Sequence, residues 1–130
     1  MVLSPEVQLA VDELQATFDS SEVSVVETGD GGAWVRVGPL TLGPQYVQDD
    51  TWASFLVTFQ YPAADVYPHF MRPDLARKDG QPLGQAFQNV QWGPATDPGV
   101  QVSRATRQID PAVDTAALKL LKVLDFVNSA

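Results

Sequence analysis

Three prolines and a run of aromatic residues crowd the stretch from Trp52 to Pro73, and together they leave it few conformations. Ser54-Phe55-Leu56-Val57-Thr58-Phe59 places Phe55, Val57 and Phe59 on one face at period two, with Leu56 on the other, which reads as a strand. The aromatic and β-branched content suits a pleated, mostly buried surface. Tyr61-Pro62 stops that ladder, because proline has no N–H to give it. Val66 to Met71 then resumes an extended path before Arg72-Pro73, and each proline biases its predecessor away from helix. Two strands joined by a proline corner are therefore the frame on which the rest of the chain must pack.

The flanking segments supply the layers. Ser4-Pro5-Glu6 is a helix start, with a hydroxyl N-cap, proline at the first helical position and an acid in the first turn. Val7, Val11, Leu14 and Phe18 fall on one face, so a helix is expected over 5–18. Glu22 to Glu27 and Ala33 to Val37 read as a hairpin around Gly29-Asp30-Gly31-Gly32, and Tyr46-Val47 as a short strand. That glycine-rich turn is not a phosphate loop, since no lysine or helix start follows it. From Asp74 to Gly99 regular patterning disappears, and a segment of that length in a small domain is expected to cover or form a site. Val100 to Val102 is a short extended piece. A last helix runs from Asp110 or Asp114 to about Asn128, burying Val113, Ala117, Leu120, Leu121, Leu124 and Val127, with Lys119 and Lys122 outward. Trp34, Trp52 and Trp92 are expected as core or loop anchors. The order predicts an α+β fold in one domain, residues 1–130: N-terminal helix, four-stranded antiparallel meander, long irregular loop, C-terminal helix.

Composition excludes several function classes. With eight basic and sixteen acidic residues the net charge is −8, which repels phosphate and disfavours nucleic acid and anionic membranes as partners. The absence of cysteine removes disulfides, thiolate chemistry and cysteine-based metal sites together. With one histidine, His69, a zinc site would have to be built mostly from carboxylates, so neither metal nor cofactor is expected. No run is long enough to span a bilayer and the N-terminus lacks the basic start of a signal peptide, so the sequence reads as cytoplasmic.

Phe59-Gln60-Tyr61-Pro62 followed by Tyr67-Pro68-His69-Phe70 resembles the Tyr-Pro corner of ubiquitin-conjugating enzymes. Ile109-Asp110-Pro111-Ala112 ahead of Ala116-Ala117-Leu118-Lys119-Leu120-Leu121 resembles the turn that opens their leucine-rich helix. Gln101-Val102-Ser103-Arg104 followed by Asp110 and Asp114-Thr115 looks like bacterial relatives encoded beside ubiquitin-like proteins and their activating enzymes. The resemblance covers nearly the whole chain and implies those two proteins as partners. Three departures stand against it. The family's catalytic cysteine is missing, its His-Pro-Asn motif has only Arg72-Pro73-Asp74 as an echo, and the loop after the fourth strand is longer.

Counting back from Ile109-Asp110-Pro111, the family's cysteine falls near Gln101 to Ser103, and Ser103 is the only nucleophilic side chain there. The resemblance therefore implies an oxyester carrier, with Ser103 accepting a ubiquitin-like C-terminus. A serine hydroxyl needs a base and oxyanion donors to do this. His69 is the one conventional base, Asp97, Asp110 and Asp114 could assist, and Arg104 or Arg107 could stabilise negative charge. The alternatives are that Ser103 is a turn residue, His69 a half-buried structural histidine, and Arg104 and Arg107 partners of Asp110 and Asp114. The chain is then a cysteine-less adaptor for an activating enzyme or a ubiquitin-like protein, or a domain of unrelated role that shares only the layout.

Overall fold

The computed structural model describes residues 3–104, 110 and 114–130. Helix α1 spans Pro5–Thr17, and its cap is the one the sequence announces: Ser4 Oγ accepts from the Val7 N–H at 3.2 Å. Strands β1 (Glu22–Glu27) and β2 (Ala33–Thr41) form a hairpin. Gly29 and Gly31 hold φ of +93° and +100° in its turn, where a side chain would be strained, and the Asp30 carboxylate accepts from Thr28 Oγ1 and the Gly32 N–H. Strands β3 (Asp50–Val57) and β4 (His69–Met71) continue the meander, and β5 (Phe87–Trp92) and β6 (Asp97–Val102) form a second hairpin. Helix α2, Ala116–Ser129, ends the chain. All six strands join one antiparallel sheet in the order β1-β2-β3-β4-β6-β5.

The α+β layering between two terminal helices is as expected, but the strand count is six rather than four. The stretch from Asp74 to Gly99 contains all of β5 and the start of β6, so it is irregular only over its first part. Asp97-Pro98-Gly99, whose composition reads as a turn, is strand: Pro98 lies beyond the end of β4, where its missing N–H costs no ladder bond on that side. Tyr46 forms an isolated bridge with Arg77 and no strand. The first strand of the Trp52–Pro73 frame ends at Val57, leaving Phe59 55% exposed beyond it, and the second shrinks to three residues. The two prolines of the corner, Pro62 and Pro68, follow cis peptide bonds.

Alternation along the strands sorts the sheet into two faces. Ala33, Val35 and Val37 of β2, Ala53, Phe55 and Val57 of β3, Met71 of β4, and Val100 and Val102 of β6 are buried in one cluster with Val7, Ala10, Val11 and Leu14 of α1. Ala116, Ala117, Leu120, Val123 and Val127 of α2 join the same cluster. Helix α1 contacts β1 and β2, whereas Phe126 of α2 stacks on Phe87 of β5, centroids 5.8 Å apart. Both helices therefore sit on one face, α1 towards the β1 edge and α2 towards the β5 edge. Leu121, expected in the buried stripe of α2, is 44% exposed, and Lys119, expected to point outward, is 7% exposed. Lys119 lies inward because Asp65, delivered by the β3–β4 corner, meets its ammonium with both oxygens at 3.1 and 3.2 Å. Val113 lies outside the described residues.

Candidate functional site

The register across β4 and β6 decides the relation between the two central residues of the serine hypothesis. His69 pairs with Val102, so both side chains point to the helix-covered face. Ser103, one residue on, points the other way. Its N–H continues the β5–β6 ladder to the Ala86 carbonyl at 2.8 Å, and its Oγ accepts from Gln101 Nε2 at 3.1 Å, as side chains two apart on one face do. The sheet itself separates imidazole from hydroxyl, so His69 cannot take the Ser103 proton.

His69 is fully buried, its ring centroid 5.0 Å from that of Phe55. Neither ring nitrogen has a hydrogen-bond partner among the described residues. Burial, aided by the Lys119 ammonium and opposed by Asp65, pushes its pKa down to about 3. The ring is neutral and inaccessible, a core side chain rather than a base.

The charged residues named from the sequence are also dispersed. The Arg104 guanidinium lies 4.6 Å over the Phe126 ring, in the last part of α2. Asp110 is at the opposite end of that helix, where its N–H donates to the Asp114 carboxylate at 2.7 Å. From Ala116 to Phe126 the helix rises about 15 Å, so Arg104 and Asp110 do not share a site. The Asp110 N–H holds the Asp114 carboxyl below the usual range, with the Lys122 ammonium adding to it at 3.5 Å. Asp97, at the far end of β6 from Ser103, is about 20 Å away along the strand. Arg107 lies outside the described residues. Ser103 thus has an amide donor beside it and no base brought to it by any of these residues.

The connection from β4 to β5 encloses a cleft of about 440 Å³ lined by Leu75, Arg77, Leu83, Phe87 and Asn89. Its one cation among the described residues, Arg77, is engaged by Asp79 and by the Ala130 carbonyl. Among the described residues no group of histidine and carboxylate side chains could hold a metal ion.

The other sheet face, which neither helix covers, is a different environment. Trp34 of β2, Phe70 of β4 and Trp92 of β5 meet there, with Phe70 and Trp92 stacked at 5.1 Å and 10° and Trp34 at 5.5 Å from Trp92. Trp52 of β3 completes the group at 5.7 Å from Trp92. The Arg36 guanidinium lies 4.0 Å over the Trp52 ring, and its Nε donates to the buried Ser54 Oγ at 3.0 Å. The three tryptophans are half-buried and gathered, not scattered anchors. Their sequence signal is the second phase of two strands: Trp34 and Arg36 alternate with Ala33, Val35 and Val37, and Trp52 and Ser54 alternate with Thr51, Ala53 and Phe55. No family model matches the chain, and comparison with curated proteins and with solved structures likewise returns no match.

Proposed function

We propose that the chain is a non-catalytic adaptor with the layout of ubiquitin-conjugating enzymes, binding a ubiquitin-like protein or its activating enzyme without forming an ester. The observation that supports this over the carrier reading is the opposition of His69 and Ser103 across the sheet. A serine whose only side-chain partner among the described residues is an amide has the ordinary hydroxyl reactivity, several orders of magnitude too weak for acyl transfer. The acidic chain, at −8, suits a protein partner better than nucleic acid. Among the described residues no helix is long and apolar enough to cross a membrane. The reading carries a cytoplasmic setting with it, because activating enzymes consume ATP.

Intact mass spectrometry after incubation with a ubiquitin-like protein, its activating enzyme and ATP tests the proposal. The adaptor keeps its own mass while titration calorimetry registers complex formation with one of the two. A base-labile adduct of one ubiquitin-like unit, lost in Ser103→Ala, would make the chain a carrier. Absence of both adduct and complex would remove the chain from such a pathway.

A further inference from the structure

The uncovered face has a second property that an adaptor role does not require. A groove of about 400 Å³ runs over it between Val26 of β1 and the turn that joins β5 to β6, with Trp34, Arg36 and Trp92 in its lining. That volume is in the range of small-molecule sites, roughly 300–1,000 Å³. Its floor is apolar and aromatic. Among the described residues Arg36 is the one cation in its lining.

The state of that cation is informative. The guanidinium lies over the Trp52 ring, and the Ser54 bond anchors it through Nε alone. Nη1 and Nη2 have no hydrogen-bond or ion-pair partner among the described residues, although acids outnumber bases two to one in the chain. Arg72 and Arg77, by contrast, are held by Asp74 and Asp79. A planar fork anchored at Nε, with its Nη donors unused, fits the two oxygens of a carboxylate. Glu22 and Asp50 lie in a separate hollow on the other side of Arg36, and Asp97 lies at the turn end of the groove. Those three acids disfavour a phosphate dianion or a dicarboxylate and leave room for a single negative charge. Indole and phenyl faces beside the fork favour a flat apolar body attached to that charge.

We infer that the groove binds a small aromatic monocarboxylate, its carboxylate on the Arg36 fork and its ring against Trp34 and Trp92. This goes beyond the adaptor reading and does not rest on it.

Titration calorimetry with 2-naphthoate and with its uncharged counterpart 2-naphthamide, on the unaltered chain, tests the site. Saturable binding of naphthoate at a single site is expected, with naphthamide roughly tenfold weaker or more. Arg36→Gln should bring naphthoate down to the naphthamide level, Trp92→Leu should weaken both compounds, and Ser103→Ala should leave binding unchanged. Equal affinity for the two compounds, or no binding of either, overturns the inference. The comparison of compounds needs no variant, so a folding defect in Trp92→Leu does not blunt it. Ester formation on Ser103 would sink the adaptor reading and leave this one standing.

Discussion

The Trp92 indole lies across Gly99 on the neighbouring strand, so close that a Cβ on Gly99 would stand 2.5 Å from Nε1 and 2.8 Å from Cδ1. Nε1 donates to the Pro98 carbonyl at 3.3 Å, which holds the indole flat against β6 and turns it towards Phe70, Trp34 and Trp52. The aromatic surface thus depends on the absence of a side chain at one position.

Gly99→Ala should dismantle that surface. The methyl would have to displace a ring already packed against three others, and the Met71 carbonyl at 3.2 Å closes the alternative. Overpacking of this kind costs about 1–3 kcal/mol. Urea denaturation should show the loss. Tryptophan emission should shift to the red, since Trp92 would swing into solvent. An unchanged emission maximum would mean that the indole does not rest on Gly99.

His69 predicts a steep acid limb. Its folded pKa is about 3 against an ordinary 6.5, so between those values the unfolded chain binds the proton and the native chain does not. Stability therefore rises with pH through that window and falls as pH drops below 6.5, by about 1.4 kcal/mol per pH unit at most. The carboxylates held low, among them Asp74 and Asp79, begin to lose their contribution near pH 5, as the unfolded carboxyls start to protonate, so the range from about 5 to 6.5 isolates the histidine. His69→Met should flatten the pH dependence of the urea midpoint over that range. It should also add about 1 kcal/mol at neutral pH, because two buried nitrogens without partners disappear. A slope unaltered by the substitution would place the titrating group elsewhere.

The helices were readable because their determinants are local: Ser4 and Thr115 cap through their own hydroxyls, accepting from Val7 and Leu118 three residues on. The first hairpin was readable for the same reason. The second was not. Gln88, Asn89 and Gln91 sit on an edge strand with little to bury, so β5 lacks the apolar alternation that marks β2 and β3. The burial of Lys119 leaves no local mark because it depends on Asp65, 54 residues away. The serine hypothesis needed the His69–Val102 register, which no local pattern encodes. The aromatic face was visible in the alternate phase of two strands, but its convergence with Trp92 depends on β6 lying between β4 and β5.

The ion pair inside the proline corner should be costly to break. Side-chain exposure is 8% for Lys119 and 20% for Asp65. Lys119→Met leaves a carboxylate largely out of water, and losses of about 2–4 kcal/mol are expected for a pair buried to this degree. Because little solvent reaches the pair, the loss should be similar at low and at molar salt, unlike that of a surface bridge such as Lys122–Asp114. A loss that fades with added salt would show the pair to be solvated.

Tyr61, the residue that gives the corner its recognisable form, carries the last prediction. Its hydroxyl accepts from the Ala116 N–H at 3.1 Å in a buried setting. Ala116 is the first residue of α2, and Thr115 satisfies only the Leu118 N–H, so without the phenol this donor has no intrahelical partner. One side chain in the corner that follows β3 therefore fixes where the last helix begins, 55 residues later. Tyr61→Phe keeps the ring and orphans the donor, which should cost about 1–3 kcal/mol. Amide hydrogen exchange should locate the loss, with faster exchange in the first turn of α2 and little change in α1. Uniform acceleration across both helices would instead mean that the phenol stabilises the core as a whole.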